Sequence, residues 1–72
     1  METKHENFIR ISTNRVNKIV DLISKLHNLS NSSYYEYSDE EIMHLFDLIQ
    51  NEIDRQKELF EKDKTSNRKV EL

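Results

Sequence analysis

A chain of 72 residues with no glycine, no proline and no cysteine has few folds open to it. Glycine takes positive φ at no steric cost, so without it tight two-residue hairpins lose their best residue and a glycine-rich phosphate loop cannot form. Many-stranded β architectures are disfavoured on that ground. The lack of cysteine removes disulfides, thiolate metal sites and cysteine nucleophiles. Apolar and charged residues each make up 35% of the chain, so any core is thin, and a domain this short buries only about 60% of its unfolded surface. No apolar run approaches the roughly 18 residues of a membrane span, and no signal-peptide pattern opens the chain. These features predict a small soluble, all-α protein in one domain.

Hydrophobic spacing then divides the chain. Asn7-Phe8-Ile9-Arg10-Ile11-Ser12 mixes β-branched and aromatic residues in partial alternation, which reads as a short extended arm over residues 1–11. Ser12 or Thr13 can cap a first helix over about 13–27, where Val16, Ile19, Val20, Ile23 and Leu26 recur at three- and four-residue steps. Asn28 suits its end, because asparagine tolerates the left-handed conformation. Residues 28–37 read as a loop. Ser38-Asp39-Glu40-Glu41 has the form of a capping box, with Tyr37 and Ile42 placed as a hydrophobic staple. Ile42, Leu45, Phe46, Ile49, Ile53 and Phe60 continue one stripe over a second helix, about 39–62, with Gln56 its polar interruption. Residues 63–72 read as a flexible tail. The expected architecture is an antiparallel helical hairpin, 12–62, with an extended N-terminal arm.

The hairpin reading carries a length argument for oligomers. At 1.5 Å per residue the first helix is about 22 Å long and the second about 35 Å, so Leu59 and Phe60 overhang by about 13 Å. A second edge of leucines widens the apolar face. Leu22, Leu26, Leu45, Leu48, Leu59 and Phe60 are therefore the expected interface of a homo-oligomer.

Charge is uneven along the chain. Residues 1–37 carry a balance of +1, residues 38–61 hold eight acids against Arg55 and Lys57, and residues 62–72 return to +2. An acidic middle repels a phosphate backbone and argues against nonspecific nucleic-acid binding. Asp39, Glu40, Asp47, Glu52, Asp54 and Glu58 instead form a candidate surface for a basic protein partner.

Signals for catalysis are weak. Glu41-Ile-Met-His44 has the Glu-x-x-His spacing of carboxylate-bridged metal bundles, but the two side chains turn away from the apolar stripe by about 100° and 160°. His27 lies on the stripe of the first helix, as a packed histidine at the edge of a core does. No nucleophile elbow is present, and Glu40 and Glu41 diverge as neighbours on a helix. Neither an enzyme nor a cofactor is expected. The loop is chemically richer: Asn28, Asn31, Tyr34, Tyr35 and Tyr37 combine amides with phenols, which makes a recognition surface or the roof of a hairpin.

Arg15-Val16-Asn17-Lys18, Asn28-Leu29-Ser30-Asn31 and Tyr35-Glu36-Tyr37, followed by the acidic helix, resemble short uncharacterised proteins of low-GC Gram-positive bacteria and their phages and integrative elements. The likeness covers roughly residues 10–60. It implies a cytoplasmic accessory protein that acts on host machinery, and no activity. The Ser-Gln-Glu-Leu-Asp motif of small helical phosphatases from such bacteria is missing here.

The leading expectation is a non-enzymatic interaction protein that binds and modulates another protein through its acidic helix. One alternative is a ribbon-helix-helix DNA-binding regulator, whose paired N-terminal strands enter the major groove with Arg10 facing bases and Arg15 and Lys18 on phosphates. Another is an oligomeric sponge that sequesters a small ligand at the Asn28–Tyr37 loop.

Overall fold

The computed structural model describes the backbone of residues 1–71 and the side chains of residues 1–64. Described residues form helix α1 (Lys4–Ser24), a 3₁₀ turn (Lys25–Ser30) and helix α2 (Asp39–Glu71), and none is in a strand. The all-α class is as expected. The chain falls into two units, Met1–Glu36 and Tyr37–Leu72. No helix among the described residues is long and apolar enough to cross a membrane.

In the first unit the extended arm is replaced by helix. Thr3 is the N-cap, with extended backbone at φ −74° and ψ 167°. Its Oγ1 accepts from the Glu6 N–H at 3.0 Å, and the Glu6 carboxylate accepts from the Thr3 N–H at 3.1 Å. Two of the donors that every helix start leaves orphaned are thereby satisfied. Once nucleated there, the helix runs through Phe8, Ile9 and Ile11 without a break. Ser12 does not cap; half-buried inside α1, its hydroxyl donates to the Ile9 carbonyl at 3.3 Å.

The end of α1 has a local cause. The Ser24 hydroxyl donates to the Asp21 carbonyl at 2.6 Å, and the Lys25 N–H reaches Ile23 and Leu22 instead of Asp21. A hydroxyl that competes for a backbone carbonyl loosens the α ladder, and the next residues tighten into 3₁₀. No described residue has a positive φ, so Asn28 does not end the helix in the left-handed way. Asn31 follows the 3₁₀ turn with extended backbone, φ −68° and ψ 103°.

These changes remove the length argument for an overhang. The 21 residues of α1 and six of the 3₁₀ turn run about 43 Å, against about 33 Å for α2 from Asp39 to Phe60. Nothing in the lengths leaves Leu59 and Phe60 without a counterpart.

In the second unit the start is as the spacing predicts. The Ser38 hydroxyl accepts from the Glu41 N–H at 3.1 Å, and the Glu41 carboxylate accepts from the Ser38 N–H at 2.9 Å. The Ile42 N–H then donates to the Ser38 carbonyl at 3.2 Å as the first full turn closes. Asp39, Glu40 and Glu41 stand in that turn, where the helix dipole favours negative charge. The expected stop near Lys62 is overrun, since the backbone stays helical to Glu71. The expected flexible tail over 63–72 is thus helical in backbone through Glu71, and residue 72 lies outside the described residues.

No described side chain is fully buried. Ile11, Ser12, Ile23 and Leu26 in the first unit are half-buried, as are Ile42, Leu45 and Ile49 in the second. The apolar stripes therefore stand largely open. Burying such surface is the main source of stability for helices of this length.

Candidate functional site

The six acids proposed as a partner surface do not form one face. On α2, at about 100° per residue, Glu40, Asp47, Asp54 and Glu58 fall within about 40° of one another. Their line is centred about 160° from Ile49, the middle of the apolar stripe. Asp39 stands to one side of it. Glu52 lies more than about 100° round from the line, on the flank of the apolar stripe.

Local bonding does not follow that division, because Glu52 on the flank and Asp54 on the outer line are both engaged. The Glu52 carboxylate accepts from Gln56 Nε2 at 2.8 Å and from the Arg55 guanidinium at 3.0 Å. The Gln56 hydrogen bond, followed by Arg55, holds its carboxyl below the ordinary carboxylate range. Asp54 accepts from Gln50 Nε2 at 3.0 Å. All of these residues are exposed, and ion pairs this open to solvent contribute little stability. Glu40, Asp47, Asp54 and Glu58 are thus the acids free of the apolar flank.

The loop amides divide into structural and available groups. In the first unit, the Asn31 carbonyl accepts from the Tyr34 and Tyr35 N–H groups at 3.2 and 3.0 Å. Its side-chain Oδ1 accepts from the Ser33 N–H at 3.0 Å. Asn31 therefore shapes the turn, as asparagine commonly does. Tyr34 and Tyr35 have ring centroids 6.5 Å apart and planes tilted by 58°. Tyr34 is 81% exposed, which leaves its phenol available. Asn28 lies in the 3₁₀ turn, where its carbonyl accepts from the Asn31 N–H at 3.4 Å. Tyr37, in the second unit, is exposed just ahead of the Ser38 cap.

The basic residues of the first unit sit on a helix and not on a strand. Arg10 is engaged, its guanidinium donating to the Glu2 carboxylate at 3.0 Å and to Asn7 Oδ1 at 2.9 Å. Glu2, from just outside the helix, thus holds the cation that a paired-strand reader would turn to bases. Arg15 and Lys18 are exposed on α1. The ribbon that such a DNA-binding dimer requires is absent among the described residues, because the first-turn cap at Thr3 commits that segment to helix.

The histidines are dispersed. His27 is exposed in the 3₁₀ turn and not at the edge of a core. His5 stacks on Phe8 with centroids 6.4 Å apart and planes 20° from parallel. Glu41, the acid of the Glu-x-x-His spacing, has one carboxylate oxygen on the Ser38 N–H. No group of three His, Asp or Glu side chains gathers for a metal among the described residues.

The expected interface residues carry the clearest feature of the molecule. Leu26 and Leu45 are half-buried, whereas Leu22 and Phe60 are each 65% exposed and Leu48 is 58% exposed. Phe8, Ile9, Val16, Ile19 and Val20 add exposed apolar surface along α1. Sequence reasoning missed Phe8 and Ile9 as members of this stripe. The signal available was Thr3-Lys4-His5-Glu6, a capping box with the same spacing as the one at Ser38. No protein-family model, curated protein or solved structure matches this chain.

Proposed function

We propose that this chain is a small, non-enzymatic regulatory protein that associates with itself through its apolar stripes and with a basic protein surface through the outer acidic line of α2. The observation that carries the reading is the exposure of much of an apolar stripe on each helix, opposite Glu40, Asp47, Asp54 and Glu58 in the case of α2. Helices short of tertiary packing are marginal in water, and contiguous exposed apolar surface is a mark of interaction sites. The antiparallel helix pairing read from the sequence, repeated across two copies, closes both stripes. It leaves Glu40, Asp47, Asp54 and Glu58 facing outward, where they steer a cationic partner in a salt-dependent manner.

Sedimentation equilibrium at micromolar concentration tests the self-association. The expected result is a mass of two or more copies, lost in the Leu48→Glu, Phe60→Glu variant. A helical species sedimenting at 8.7 kDa overturns the proposal. For the partner, a pull-down from host lysate is compared between the native chain and the Asp47→Asn, Asp54→Asn, Glu58→Gln variant. A captured protein whose retention is unaffected by the three neutralisations removes the acidic line from the reading.

A further inference from the structure

Two serines of the first unit make the same backbone contact with opposite results. The Ser24 hydroxyl donates to the Asp21 carbonyl at 2.6 Å, and there the α ladder gives way to 3₁₀. The Ser12 hydroxyl donates to the Ile9 carbonyl at 3.3 Å, yet α1 runs on past it. In either place the hydroxyl competes with a ladder N–H for the same carbonyl oxygen. Contacts upstream of Ser12 therefore hold the helix across a weak link.

Two sets of contacts supply that hold. One is the exchange between Thr3 and Glu6, which satisfies two orphaned donors of the first turn. The other is a brace across the first two turns. Arg10 Nε donates to one Glu2 carboxylate oxygen at 3.0 Å, and Nη2 donates to the other at 3.2 Å. Nη2 also donates to Asn7 Oδ1 at 2.9 Å. An ion pair this open to solvent is weak by itself, so the brace adds to the cap and does not replace it. Each hold depends on one carboxylate, Glu6 in the cap and Glu2 in the brace.

Between these holds and the weak link, little else favours helix. Asn7, Phe8, Ile9 and Ile11 are middling helix formers, because branched and aromatic side chains lose rotamer freedom there and asparagine competes for the backbone. Beyond the link the chain can start again, since serine is among the preferred N-caps. With Ser12 in extended backbone, its Oγ accepts from the Asn14 or Arg15 N–H. The Val16 N–H still pairs with the Ser12 carbonyl, as the first full turn of a helix capped there.

We propose that α1 has two starts, and that residues 4–11 are a detachable segment locked into the helix by the carboxylates of Glu2 and Glu6. Unlocked, the segment leaves the helix as one piece, and α1 begins again at Ser12. The device sets how much apolar stripe α1 presents, because Phe8, Ile9 and Ile11 go with the segment. Release of a terminal piece as a unit is the local opening from which order–disorder controls are built. Every contact it uses lies within residues 2–24, so it is independent of the self-association proposed above.

Cα chemical shifts along the full chain test the device in a Glu2→Ala, Glu6→Ala variant. Alanine is the better helix former, so any helix lost reports the missing contacts and not propensity. The helical shifts of residues 4–11 are expected to fall together, while Val16–Ser24 keep theirs. Exchange protection of the Phe8–Ile11 amides falls by about 2- to 30-fold, the effect of losing one cap. Unchanged shifts, loss confined to Lys4–Asn7, or loss spread evenly to Ser24 each overturns the proposal. Adding Ser12→Ala removes the weak link and the second start together, and returns helical shifts to Phe8–Ile11. Asn14→Ala, which raises propensity but leaves Ser12 in place, is the control. Equal recovery with Asn14→Ala overturns Ser12 as the junction. A wild-type monomer in sedimentation defeats the proposed function and leaves this inference standing.

Discussion

The two helix starts use the same device and were not equally legible. Thr3-Lys-His-Glu6 opens α1 and Ser38-Asp-Glu-Glu41 opens α2, each with both reciprocal hydrogen bonds formed at 2.9–3.1 Å. After Ser38 the apolar residues fall at once into a helical period, so cap and stripe point to one structure. After Thr3 comes Phe8-Ile9-Arg10-Ile11, whose alternation and β-branching suit a strand. A cap satisfies donors that water otherwise must, and a few alternating residues without a partner strand gain no ladder hydrogen bonds. Where the two signals conflict in a chain with no sheet to join, the cap decides.

Breaking the apolar stripes has the largest expected effect. Each Leu or Phe that loses full burial forfeits about 1.5–3 kcal/mol, so Leu48→Glu with Phe60→Glu weakens association by about 10²–10⁴-fold. Concentration-dependent sedimentation measures it. Helical signal in far-UV circular dichroism falls with it if the helices depend on association.

The caps sharpen the comparison next. Thr3→Ala and Ser38→Ala each cost about 0.5–2 kcal/mol of helix stability. The expected outcomes differ in kind. Losing the Ser38 cap frays the first turn of α2, whereas losing the Thr3 cap releases residues 4–11 toward extended backbone. Cα chemical shifts along both segments distinguish these results, and equal fraying at both ends would break the contrast between the two helix starts.

Acid offers a smaller, signed test. Hydrogen bonds from the Thr3 backbone, then from its side chain, hold the Glu6 carboxyl below its ordinary value. A depressed carboxyl contributes stability that is present above its unfolded pKa and is lost as pH falls through the folded pKa. Helicity at the start of α1 should therefore decline on acidification below about pH 4.5, and Glu6→Gln should flatten that part of the titration. Glu52, lowered first by Gln56 and then by Arg55, titrates in the same sense on α2.

The smallest expected effect on stability comes from Asp47→Asn and Glu58→Gln, exposed changes within about 0.5 kcal/mol of neutral. Unchanged thermal melting with weakened, less salt-sensitive partner capture would separate the acidic line from the fold.

Composition and spacing were enough to establish the all-α class, the start of α2 and most of its stripe. The lack of glycine removes turns, and a three- and four-residue period has meaning on any α-helix. Thr3-Lys-His-Glu6 was equally present in the sequence, but its weight against the strand-like run that follows depends on whether a second strand exists to pair with it. That is a property of the folded whole. The split between Glu52 on the apolar flank and Glu40, Asp47, Asp54 and Glu58 on the outer line was legible too, since a helix over 39–62 fixes each acid's angle at about 100° per residue; what the structure added is that Gln56 and Arg55 hold the Glu52 carboxylate. The structure also decided that Asn31 shapes its turn, since an amide becomes a structural acceptor only once the backbone brings the N–H of Ser33 within 3.0 Å.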